Sequence, residues 1–261
     1  MFRPPPHPAH YSPRLRRARA VRLVVALLAT SSFWFEFGSL TSAGAASQSS
    51  FATQSGHQII SAAMTAALRE GSATSSSATT IAGQEYTSVT NSSTASGEQT
   101  LRLGQAQSVV RVVANVVYIK DDAAAIQAQF GVSAPSVANK WIKIPAANSN
   151  FARFNSGILL SSMLSEVSPT GTLKTTKTAM VNDTLVVGVT GKPNNHLGLA
   201  SGTETVYVDA TGTHVPVELV ASDVVQGQRQ SFVITFTNWG LNFHLIKPAT
   251  SIAISTTKLP S

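Results

Sequence analysis

Hydrophobic and polar positions alternate most regularly over residues 203–220, TETVYVDATGTHVPVELV. Val206 and Val208 share one side of a first segment. Val215, Val217 and Leu219 share one side of a second, with Thr211-Gly212-Thr213 between, so the pattern predicts a hairpin with one apolar face. Gly212 is suited to a positive φ in that connection, and Pro216, which has no backbone donor, points to an edge strand or a non-bonded position. A sheet with one apolar face needs a cover, and the cover is either protein or ligand.

The period-2 pattern recurs over 78–82, 86–90, 100–103, 108–113, 115–120, 139–145, 171–181, 184–190, 230–237 and 243–246. Threonine and serine dominate the first two, as expected of strands with a wet outer face, or of a linker. Phe232, Ile234 and Phe236 alternate cleanly. Helical spacing interrupts this pattern three times. Ile60, Ala63, Met64, Ala67 and Leu68 mark a helix over 56–70 that Gly71 ends. Asp121 and Asp122 precede a helix over 123–130 that Gly131 stops. Residues 150–167 carry Phe151, Phe154, Ile158, Leu159, Leu160, Met163 and Leu164 around Gly157, which suits two short covering helices. About ten antiparallel strands form a sheet that curls rather than staying open. The expected fold is α+β: a large curled antiparallel sheet, or half-barrel, with helices covering one face.

Composition changes this picture first at the N-terminus. Arg14, Arg16, Arg17, Arg19 and Arg22 lead into the apolar run 21–29 and the aromatics Phe33, Trp34 and Phe35, and Ala43-Gly44-Ala45 follows. That is the order of a secretory signal. Glu36 interrupts the run before it reaches the ~20 residues of a spanning helix, which favours cleavage over an uncleaved anchor. The expected organisation is a signal peptide over 1–45, a flexible arm over 46–55 and one half-barrel domain over 56–261, secreted or held in the cell envelope outside the cytoplasm.

The formal charge of +7 then loses its apparent meaning. Six of the 19 basic residues and one of the 12 acidic ones lie in the leader, leaving 13 against 11, or +2. These charges are scattered rather than gathered in a stripe, so nucleic-acid binding has no support. The chain has no cysteine. A domain of this size needs no disulfide, and no lipid anchor through cysteine is available.

Catalytic patterns are missing from the sequence: it has no Gly-x-Ser-x-Gly elbow, no phosphate-binding glycine loop and no His-Glu-x-x-His. His57, His196, His214 and His244 have no paired spacing, so no metal, cofactor or enzymatic activity is expected. Asp121-Asp122 could be a carboxylate pair, but a helix start explains it better. Trp141 and Trp239 suit packing more than ligand contact. Asn91-Ser92-Ser93 and Asn182-Asp183-Thr184 match glycosylation acceptors, a frequent chance pattern.

The order of elements and the strings Val117-Tyr118-Ile119-Lys120, Lys140-Trp141-Ile142-Lys143 and Val233-Ile-Thr-Phe-Thr-Asn-Trp-Gly240 resemble the LprG/LppX-type lipid carriers of actinobacterial envelopes, distant relatives of the LolA/LolB lipoprotein carriers. The resemblance spans about 56–255. It implies a U-shaped sheet enclosing an apolar cavity for an acylated lipid or another apolar molecule. It also implies a movable helical roof, an envelope transport partner and transient membrane contact, with no catalytic residues. Positions that would face the cavity implied by the resemblance include Ile60, Met64, Leu101, Leu103, Phe154, Ile158, Met163, Val206, Val208, Phe232, Ile234 and Phe236, with alternation choosing the inward face of each strand; for any single one an ordinary core contact is the better reading, and the expectation concerns the set. The chain departs from the family's usual pattern in lacking a lipidated cysteine. The competing expectation is an extracellular interaction or accessory module with a filled core and no ligand.

Overall fold

The computed structural model describes residues 50–81, 84–194, 202–225, 228–257 and 259–260, so the expected leader and residues 46–49 lie outside the described residues. No helix among the described residues is long and apolar enough to cross a membrane. The chain opens with helix α1 (Gly56–Glu70), whose start is fixed by a capping box. The Ser55 backbone N–H donates to Gln58 Oε1 at 3.0 Å, and the Gln58 N–H donates back to Ser55 Oγ at 3.4 Å. Gly71, at φ 79°, ends the helix in the left-handed conformation that glycine adopts most readily.

Five strands follow as a meander: β1 (Ser72–Ile81), β2 (Gln84–Ser93), β3 (Ser96–Leu103), β4 (Ala106–Val113) and β5 (Val116–Asp121). Helix α2 (Ala123–Phe130) and strand β6 (Ile142–Pro145) lead to the short helices α3 (Phe151–Asn155) and α4 (Leu160–Glu166). A second meander runs through β7 (Thr170–Val181), β8 (Thr184–Lys192), β9 (Thr203–Asp209), β10 (Pro216–Val225) and β11 (Gln228–Thr237), and β12 (Ile252–Ala253) closes the set. These strands form one sheet in the order β12-β6-β5-β4-β3-β2-β1-β11-β10-β9-β8-β7, antiparallel except for the β12–β6 pair. The sheet is curled and unclosed, the α+β half-barrel expected from the pattern. Twelve strands form among the described residues, where about ten were expected.

The two meanders meet at β1 and β11 through three pairs only, Thr74 to Thr237, Ser75 to Phe236 and Ser76 to Thr235. Within each meander the ladders are longer, with ten pairs joining β1 to β2. The core is split in the same way. One buried cluster joins α1 and α4 to the strands of the second meander through Ile59, Ala63, Leu160, Val187, Val206 and Leu219. The other joins Phe154 and Ile158 to β4–β6 through Val112, Val117, Ile119, Ile142 and Ile144, with Ile126 of α2 and Ile254 near the C-terminus.

Several local expectations give way to tertiary context. Pro216 lies on an interior strand, between β9 and β11, not on an edge. It is tolerated because it is the first residue of β10 and the register with β9 shifts there, between Pro216 and Glu218. The positive φ of the hairpin turn falls on His214, at 59°, and not on Gly212. Gly212 instead permits close approach, since a Cβ there would overlap the Asp209 carboxylate that accepts its N–H at 3.0 Å. Residues 243–246 form no strand. That stretch crosses the outer face rather than running beside a strand, tied by the Ser72 hydroxyl to the Leu241 carbonyl (2.6 Å) and by Arg111 to the Ile246 carbonyl (2.8 Å). Within the expected flexible arm, residues 50–54 make a turn held by Phe51, which is buried and stacked on the His214 ring at 3.8 Å.

Candidate functional site

Strand alternation and register define one inner face, the face on which the helices pack. One row across it runs Asp121, Ser108, Leu101, Ser88 and Ser77 from β5 to β1. The next row toward α3 and α4 runs Ile119, Val110, Gln99, Thr90, Ser75 and Phe236. Beyond it come Val117, Val112, Gly97, Ser92 and Ala73, and there the helical cover is tight. A Cβ on Gly97 would collide with the Ile158 carbonyl, and the Ser92 hydroxyl donates to Met163 Sδ at 3.6 Å.

Away from that cover the inner face opens. Leu101 and Leu103 are half-buried and belong to neither core cluster, although they share the face with Val110 and Val112. Phe232 and Ile234 are half-buried at the margin of the first cluster. Ser77, Ser88 and the ring of Tyr86 lie between these two apolar pairs, also half-buried. Burial pushes the Tyr86 phenol above its ordinary range, with Ser88 pulling the other way. The result is an apolar wall on each side of a small, hydroxyl-rich floor.

The twelve cavity candidates fall into two groups. Ile60, Phe154, Ile158, Met163, Val206, Val208 and Phe236 are buried in the two clusters under the helices. Met64 is half-buried on α1 against the first cluster, and Leu101, Leu103, Phe232 and Ile234 line the open patch.

Alternation alone did not single out two inner-face carboxylates. Glu204 has no exposed surface and lies in the row Glu204, Ala221, Phe232. Its Oε2 accepts the Asn194 N–H at 3.4 Å, and its Oε1 has no partner among the described residues. Burial raises its carboxyl to about 7, against a smaller lowering by the Asn194 N–H. Asp121 is 1% exposed. Its Oδ1 accepts from the Ser108 hydroxyl (2.6 Å) and Gln129 Nε2 (3.4 Å), while Oδ2 is unpartnered among the described residues. Burial raises Asp121 to about 6; Ser108 and Arg153 lower it and Asp122 raises it. Parity could have found both, because Glu204 alternates with Val206 and Val208, and Asp121 with Val117 and Ile119. The helix-start expectation for the aspartate pair holds for Asp122 alone, whose Oδ1 accepts the Ala125 N–H at 2.7 Å.

A second concavity, of about 530 Å³, lies outside α1 between His57, Ser61, Thr65 and Arg69 and the turn residues Thr213 and His214. His214 Nδ1 is 2.9 Å from the Asp209 main-chain carbonyl, which acts as acceptor. The Asp209 carboxylate instead accepts the N–H groups of Thr211 and Gly212, so this histidine and aspartate do not pair through their side chains. No cluster of three metal-ligating side chains occurs among the described residues. Trp239 packs against the first cluster with Nε1 donating to the Pro216 carbonyl (3.1 Å), and Trp141 lies under the Arg111 guanidinium.

The fold and this face define a class: an open half-barrel whose helices bury part of its inner surface and, among the described residues, leave Leu101, Leu103, Phe232 and Ile234 half-buried. No family model and no curated protein matches the sequence. Solved structures similar to it include LprF from Mycobacterium bovis, at 12% identity and a TM-score of 0.45, over 75% of this chain and 97% of that one. An uncharacterized conserved protein from Thermus thermophilus is similar at 10% identity and a TM-score of 0.41, over 77% and 99% of the two chains. A putative outer membrane lipoprotein-sorting protein domain from Vibrio parahaemolyticus is similar at 9% identity and a TM-score of 0.30, over 70% and 92%.

Proposed function

We propose that this chain is a non-enzymatic carrier or binding protein for an acylated lipid or another apolar ligand, held on the inner face between the curled sheet and its helices and working outside the cytoplasm. The supporting observation is that Leu101, Leu103, Phe232 and Ile234 share the core face yet stay half-exposed. Each methylene taken from water there contributes about 0.8 kcal/mol, so an acyl chain of a dozen carbons gains on the order of 10 kcal/mol before ordering costs. Such binding needs no signature motif, which fits a sequence without one. Delivery would involve contact with a membrane or with a transport partner of the envelope.

Purified protein from a lipid-rich host, examined by native mass spectrometry and organic extraction, is expected to carry bound lipid, and the Leu101→Asp/Ile234→Asp variant to carry little. Repeated preparations that are empty and take up no added acyl probe would sink this proposal. The alternative, an extracellular interaction module with a filled core, draws support from the seven candidates that are fully packed under the helices. That alternative predicts no lipid in either protein.

A further inference from the structure

The charged side chains described on the inner face of β1–β5 and β8–β11 are of one sign. Asp121 and Glu204 point to that face, whereas Arg102, Arg111, Lys120 and Lys192 fall on the opposite parity of their strands. The placement of the two carboxylates is nearly symmetrical about the open patch. Asp121 is separated from Leu101 by Ser108 alone, and Glu204 from Phe232 by Ala221 alone. Each is at least nine-tenths buried, and each keeps one oxygen without a partner among the described residues. A buried acceptor left unsatisfied is costly, so such groups ordinarily meet a donor. Arg153 of α3 lies near Asp121, but its Nη2 donates to the Gln129 carbonyl at 2.7 Å and its guanidinium stacks on Phe130 and Phe154.

Resting on the carrier function proposed above, we infer that the ligand is a long-chain amphiphile whose head group donates hydrogen bonds and carries no negative charge. Its head would be a hydroxyl-bearing neutral group or an amine, set at the margin of the patch over Ser108 beside Asp121 or over Ala221 beside Glu204. An anionic head, such as a fatty-acid carboxylate, meets like charge in a poorly hydrated site and offers no donor to either bare oxygen.

The test uses the full chain and three probes with the same C18 chain, oleate, monoolein and oleylamine, each displacing a polarity-sensitive alkyl dye at about pH 8. Monoolein and oleylamine are expected to bind at least tenfold more tightly than oleate. In the Glu204→Gln/Asp121→Asn variant, checked for native circular dichroism, that preference is expected to fall to within about threefold; the single substitutions serve if the double variant does not fold. Oleate binding as tightly as the other two would overturn the head-group inference and leave the carrier function standing. An unchanged preference in the variant would overturn the assignment to these carboxylates. Failure of all three probes to bind would remove the carrier function and this inference together.

Discussion

Glu204 sets a pH dependence of sign opposite to that of a salt-bridged carboxylate. Its folded-state value, about 7, lies above the ordinary 4.5, so the native state keeps a proton that the unfolded chain gives up across that interval. Stability at Glu204 is therefore highest below the unfolded value and declines as pH rises from about 4.5 through 7. Asp121, raised from 3.8 to about 6, acts in the same direction over a lower window. Glu204→Gln removes the ionisation and keeps the shape. Urea unfolding should show the variant more stable at about pH 8, by on the order of 3 kcal/mol at most, with the gain vanishing near pH 4.5. A difference that stays constant across that range would contradict the assignment.

Among the elements, α1 depends on its cap and the α3–α4 connection depends on Gly97. Ser55→Ala removes the hydroxyl that accepts the Gln58 N–H, leaving only the backbone half of the capping box, and should cost about 1 kcal/mol, with faster amide exchange confined to the first turn of α1. Ile158 is 1% exposed and rests against the backbone at Gly97. Ile158→Ala should cost about 2–5 kcal/mol by opening a void. Gly97→Ala should cost about 1–3 kcal/mol for the opposite reason, because the added methyl overlaps the Ile158 carbonyl. Thermal unfolding of the two variants separately and together checks the shared cause, since contacting sites lose additivity.

At the scale of the molecule, the seam that joins the two meanders is short, three pairs between β1 and β11 against ten and eight in the ladders on either side of it. Each meander has its own buried cluster, and the seam ladder stops at Ser76 and Thr235 while β1 continues to Ile81 and β11 begins at Gln228. Hydrogen exchange should therefore be fast at seam-facing amides of 77–81 and 228–234 and slow at 74–76 and 108–113. Uniform protection along β1 would show that the two halves act as one rigid body. A ligand bridging Leu101 and Ile234 would join the halves, and its binding should slow exchange on both sides of the seam.

Most of this architecture follows from short-range patterns. Period 2 with β-branched residues determines strands such as 108–113 and 203–209, and helical spacing with Ser55, Asp122, Gly71 and Gly131 as punctuation determines α1 and α2. One face was legible as apolar from Val206, Val208, Phe232, Ile234 and Phe236, because parity is a local property. What covers each position along that face was not legible, since it depends on contacts between residues far apart in sequence. Only the tertiary structure decides that Ile158 closes over Gly97 while Leu101, four residues along β3, stays partly open. It also decides that Pro216 is tolerated on an interior strand through a register shift, and that residues 243–246 cross the outer face instead of joining the sheet. Glu204 and Asp121 stand on the boundary between the two. Their parity is written in the sequence, but the burial that raises their carboxyls comes from chain packed over them, which no local pattern encodes.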